Sequence, residues 1–116
     1  MTAVASFDNA AELSVDAYTA GELALHADLA CVELYAELAA LGLDDTEAAG
    51  ALKRLRLAYW HGWVGELDLW VSPQEKLAFA AAAQAARAQA PALPGQAVAQ
   101  ARQLGKLDAA AQRAAL

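Results

Sequence analysis

The stretch GELALHADLACVELYAELAALGLDDTEAAGALKRLRLAYW, residues 21–60, reads as two helices joined by one tight turn. Large apolar side chains recur at three- and four-residue spacings on both sides of Gly42-Leu43-Asp44, as one face of a helix requires. Gly42 is a natural C-terminal stop, and Asp44-Asp45-Thr46-Glu47 forms a capping box with Asp44 at the N-cap and Glu47 at N3. Working outward, Ser14 can cap a first helix over about 14–41, and the second is expected over about 45–70. That second helix should loosen at Gly62 and Gly65, because glycine costs a helix interior about 1 kcal/mol. Ser72-Pro73-Gln74-Glu75 starts a third helix, with Ser at the N-cap, Pro at N1 and Glu at N3. It is stopped before Pro91 and Pro94, and a fourth follows over about 95–115. A short turn of helix from about Asp8 would make five. With β-branched residues too sparse for strands, the expectation is an all-α, up-and-down four- or five-helix bundle forming a single domain over 1–116.

Composition sharpens this. Of 116 residues, 59% are hydrophobic, but 34 of those are alanine, which favours helix while adding little bulk. The larger apolar residues concentrate over about 13–79, leaving thin helices behind a bulky front. The first helix shows the excess: Glu22, His26, Glu33 and Glu37 fall within about 60° of one another on a helical wheel, and apolar residues take most of the rest. So narrow a polar stripe means a central helix or a subunit interface, and the thin rear helices favour the interface; a two-fold homodimer is expected.

Charge is divided. Residues 1–52 hold ten acids and no Lys or Arg, although the whole chain carries only −6. The counter-charge could come from the basic C-terminal part, from another copy of the chain, or from a separate cationic partner. Nucleic-acid binding is disfavoured: Lys53-Arg54-Leu55-Arg56 with Tyr59 and Trp60 is a small patch beside ten acids. An acidic nucleic-acid-related protein or DNA mimic fits the charge alone.

Several residues stand out. Asp28 lies on the apolar side of the first helix, where a carboxylate needs a partner; Arg54 or Arg56 can supply one, and Asp28–Arg54 is the pair expected. All three tryptophans fall within residues 60–70. Tyr59, Trp63 and Trp70 share a side with Leu52 and Leu55, as core residues do, whereas Trp60 turns about 100° away, toward Arg56. A Trp beside an Arg has the composition of an interface anchor, and equally of core where another helix covers it. The partner-contacting set expected is Trp60, Trp63, Trp70, Tyr35 and Arg56.

Catalytic signals are few. Glu22, His26, Glu33 and Glu37 are weak metal candidates, because no Glu-x-x-His pair occurs and no second helix carries a matching set. Ser14 and Ser72 serve better as caps than as nucleophiles, and Cys31, alone on an apolar face, reads as an inert buried thiol. No phosphate-binding loop and no cofactor motif is present, so no cofactor is expected. The segment MTAVASFDNA lacks a basic leader, and no window is long and apolar enough to span a membrane. These features point to a cytoplasmic, bacterial-type, non-enzymatic module for protein interaction or homo-oligomerisation. The alternative is a helical bundle binding a small ligand, a nucleotide or a divalent metal, with or without catalysis.

Overall fold

The computed structural model describes residues 15–69, 72–91 and 93–115, and every regular element among them is a helix. A helical turn over residues 15–19 (α1) leads into α2 (Gly21–Ala30), α3 (Val32–Ala39), α4 (Asp45–Leu67), α5 (Pro73–Gln89) and α6 (Gly95–Ala115). The long first helix expected over 14–41 is therefore three pieces. Gly21 sits at φ +71, a left-handed conformation that glycine adopts without a Cβ penalty, and the chain turns sharply there. At Cys31 the backbone leaves helical geometry (φ −104, ψ 22), yet Cys31 N–H still bonds Ala27 O and Tyr35 N–H bonds Cys31 O. The second break bends the hydrogen-bond ladder without severing it.

Among the described residues local punctuation is otherwise where the caps place it; the Ser14 cap and the turn of helix expected from about Asp8 lie outside them. Gly42 turns the chain at φ +66, and Asp44 and Glu47 form the complete capping box of α4. Ser72 Oγ accepts from Glu75 N–H at 3.2 Å, but the box of α5 is only half made. Glu75 is buried instead, and its Oε1 has no hydrogen-bond partner among the described residues. The helix expected to reach residue 70 ends at Leu67, where Asp68 turns left-handed (φ 53). Leu69 N–H then bonds Val64 O and Asp68 N–H bonds Gly65 O, the two bonds of a Schellman stop.

α4 is the axis of the molecule. Tyr18, Leu23, His26 and Asp28 meet Trp60, Tyr59 and Arg56 in descending order, so the first pass runs antiparallel to α4. α5 returns antiparallel, with Gln89 against Gly50, and α6 runs alongside α4 in the same direction. The packing of α6 corrects the reading of the glycines. α4 is continuous through Gly62 and Gly65, with no loosening. A Cβ on Gly62 would strike the Arg102 carbonyl, and one on Gly105 would strike the Tyr59 carbonyl. The two glycines thus face each other's helices and let the backbones touch. Ala97, Ala101, Gly105 and Ala109, four residues apart, form the buried stripe of α6 that continues this contact. The alanine-rich rear of the chain fills space by close approach rather than by bulk. Around α4, the core gathers Leu55, Leu57, Tyr59, Trp60, Val64 and Phe79.

Candidate functional site

Three large aliphatic side chains stand in a row outside the first pass. Leu25 and Leu29 are one helical turn apart on α2, Val32 follows three residues later at the start of α3, and they are 58%, 69% and 61% exposed. They follow at four- and three-residue spacings on either side of the bend at Cys31, whose own side chain is buried, and Val32 also borders the groove against α6. Scattered surface leucines are ordinary, but a contiguous row is the signature of a contact surface. Exposed Glu22 and Glu33 lie on the flank of this row that the wheel assigns them.

A charged clasp on the inner side fixes the ridge in place. Arg56 donates to both oxygens of Asp28, through Nε at 2.8 Å and Nη2 at 2.7 Å, and through Nη1 to Thr19 O at 3.1 Å. Tyr35 donates its hydroxyl to Asp28 Oδ1, so one carboxylate ties α2, α3 and α4 together. Burial alone would raise the Asp28 carboxyl, but hydrogen bonds from Arg56 and Tyr35 and the Arg56 charge outweigh it and hold the group below its ordinary value. The expected partner Arg54 is not the one used. Positions 54 and 56 point about 200° apart on a helix, and Arg54 faces α5, beside Arg87. Tyr35 and Arg56, expected at a partner surface, are both engaged within the chain.

The aromatics build the wall beneath. Trp60 is 5% exposed and donates Nε1–H to Leu23 O at 3.0 Å, so it is a core residue covered by the first pass and not a surface anchor. Tyr18 bridges Trp60 and Phe79, with ring centroids 5.7 and 5.0 Å away. Trp63 is half-buried against His26, Tyr59 and Trp60, and Trp70 lies outside the described residues. The Tyr59 hydroxyl donates to Asp108 Oδ2 at 2.7 Å and accepts from His26 Nε2 at 3.1 Å, which places the imidazole proton on Nε2. Burial, then the hydrogen bond to Asp108 and its charge, push the Tyr59 hydroxyl well above the ordinary tyrosine range, so it remains a donor. Asp108, the last acid in the chain, carried no sequence signal for this role; nothing local connects it to a tyrosine 49 residues away.

His26 is thus attached to the aromatic wall rather than standing free in an acidic stripe. Glu33 and Glu37 instead border a shallow groove against Gln100, Gln103 and Leu104 of α6. Among the described residues, no three His, Cys, Asp or Glu side chains gather as a metal ion would need. Cys31 is buried, and burial, with the charges of Asp108 and Asp28, pushes its thiol up to about 11. Relative to a free thiol, iodoacetamide at pH 8 should therefore label the native protein on the order of a hundredfold more slowly, with normal reactivity returning in denaturant. Labelling at the free-thiol rate without denaturant would show the site to be open. Among the described residues, no helix is long and apolar enough to cross a membrane. In comparisons with known proteins, no family model matches the chain, and neither a curated protein nor a solved structure matches it at the significance required.

Proposed function

We propose that this chain is a non-enzymatic protein-interaction module whose partner seats on the ridge of Leu25, Leu29 and Val32. The observation that carries this is the row itself: three large aliphatic side chains, each more than half exposed, at consecutive helical contact positions. The clasp of Asp28, Arg56 and Tyr35 supports it, because a contact surface held in shape before binding loses less entropy on association. The chemistry of the partner follows from the flank. Residues 1–52 contain no Lys or Arg, so a fitting partner offers an apolar groove bordered by basic side chains.

A second copy of the chain is the other reading, favoured by the self-complementarity of an aliphatic row under two-fold symmetry. Its cost is that Glu22 and Glu33 of the two copies would meet across the interface, and like charges so placed repel. Leu29→Asp separates binding from folding. At a 69% exposed position the change should alter stability by no more than about 0.5 kcal/mol while abolishing partner retention. Sedimentation of the purified chain distinguishes the occupants: a monomer of 12.1 kDa at micromolar concentration supports the separate partner, whereas a dimer that Leu29→Asp dissociates establishes the second copy. Retention of every partner by Leu29→Asp would remove the ridge from the binding surface.

A further inference from the structure

On another side of the molecule, α4, α5 and α6 enclose an open groove of about 360 Å³. Its apolar lining is supplied by Leu57 and Ala58 of α4, Phe79 and Ala83 of α5 and Val98 of α6. Arg54, Lys76, Arg87 and Arg102 line the same groove, and no Asp or Glu does. That is half of the eight bases in a chain of net charge −6. Two others, Arg56 and Arg113, make the ion pairs seen among the described residues, with Asp28 and Glu66. The acids nearest in sequence do not serve the groove: Glu75, beside Lys76, is buried, and Glu66 pairs with Arg113. Arg54 and Arg87 lie near enough to repel, and that repulsion, added to burial, lowers the Arg54 guanidinium below its ordinary value.

Like charges gathered over an apolar floor without a carboxylate call for an anion with an apolar body. We propose that this groove binds a single amphipathic anion: an alkyl chain of about eight to twelve carbons ending in a carboxylate or a phosphate. The guanidinium groups suit either headgroup through paired N–H donors, and the methyl and methylene floor suits an alkyl chain. His61 and Gln84 in the lining could read the edge of a nucleobase, but a base fits less well because Phe79, at 2% exposure, offers no open face for stacking. The site is distinct from the ridge and does not depend on it.

The test is calorimetric titration of the full chain with decanoate and with decyl phosphate, each below its micelle concentration. Acetate, inorganic phosphate and an acidic peptide serve as comparison ligands, and anionic vesicles are tested in parallel. Saturable one-to-one binding of either amphiphile is expected, weakened at high salt and absent with acetate and inorganic phosphate. Arg54→Gln with Arg87→Gln should weaken it at least tenfold with little change in melting temperature, since the repulsion relieved offsets the loss of the Arg87 cation from the last turn of α5. Ala83→Leu, which narrows the floor, should weaken binding while leaving the headgroup contacts intact. Leu29→Asp, on the ridge, should leave it unchanged. Undiminished binding by the double arginine variant, equal loss in Leu29→Asp, or binding confined to the peptide or to vesicles would overturn the proposal. So would a failure to saturate with either amphiphile. Because the ridge variant is read in the same titration, failure of the groove and failure of the interaction surface give different results.

Discussion

Gly62→Ala and Gly105→Ala should each destabilise the protein by about 2 kcal/mol or more, whereas Gly65→Ala in the same helix as Gly62 should stabilise it by up to about 1 kcal/mol. Alanine is the better helix former at all three positions, so local propensity alone predicts a gain at each. The sign reverses at Gly62 and Gly105 because an added Cβ would run into backbone carbonyls, of Arg102 and Tyr59 respectively, and backbone cannot rotate aside as a side chain can. Gly65 meets nothing within 4 Å and keeps the full gain. In a domain of this size, 2 kcal/mol corresponds to a fall of about 10 °C in melting temperature. Thermal unfolding of the three variants checks the contrast, and a gain at all three would mean that α4 and α6 are farther apart than described.

Loss of the Asp28 charge is the second large effect. Asp28→Asn keeps the shape but removes the charge that Arg56 binds with two hydrogen bonds, leaving a guanidinium that is only 23% exposed without its counter-ion. Full burial would make this worth several kcal/mol; with about a quarter of each side chain in water, about 2 kcal/mol is expected. The pH dependence has a definite sign. The folded Asp28 carboxyl lies below its ordinary value of 3.8, so the stabilisation is fully present above that value. It is lost as the pH falls through the folded value. The stability difference between wild type and Asp28→Asn should accordingly be constant from about pH 5 to 8 and close in more acid solution. Urea unfolding at several pH values measures it, and a difference that grew on acidification would contradict the clasp.

What the sequence disclosed divides along a physical line. Helix ends set by neighbouring residues were legible: Gly42, the Asp44–Glu47 box and the Ser72 cap act within four residues and stand where their chemistry places them. Features set by distant contact were not. Gly62 carries the same local cost whether it loosens a helix or admits another, and only α6 decides between them. The spacing of Ala97, Ala101, Gly105 and Ala109 was the available signal, hidden by the abundance of alanine around it. Trp60 could be core or surface until the Leu23 carbonyl was seen above it, and Asp28 had two arginines within reach of the same helix until its register was fixed. The apolar residues that take most of the wheel of the first pass divide into a buried set, Ala24, Ala27, Cys31 and Leu34, and an exposed row on the opposite face. The surplus of apolar surface was legible; among the described residues Trp60 does not carry it, whereas Leu25, Leu29 and Val32 carry part of it, along with Leu69, Leu77 and Leu107.

Site-specific photo-cross-linking from position 29 is the most direct test of the ridge as a binding surface. A photoreactive residue at Leu29 and another at exposed Ala110 on α6 are compared in a lysate, at low and high salt. The ridge predicts one discrete adduct from position 29 with a separate protein, absent from position 110, weakened by salt and lost when Leu25→Asp is introduced. Equal labelling from the two positions, or an adduct indifferent to Leu25→Asp, would contradict it.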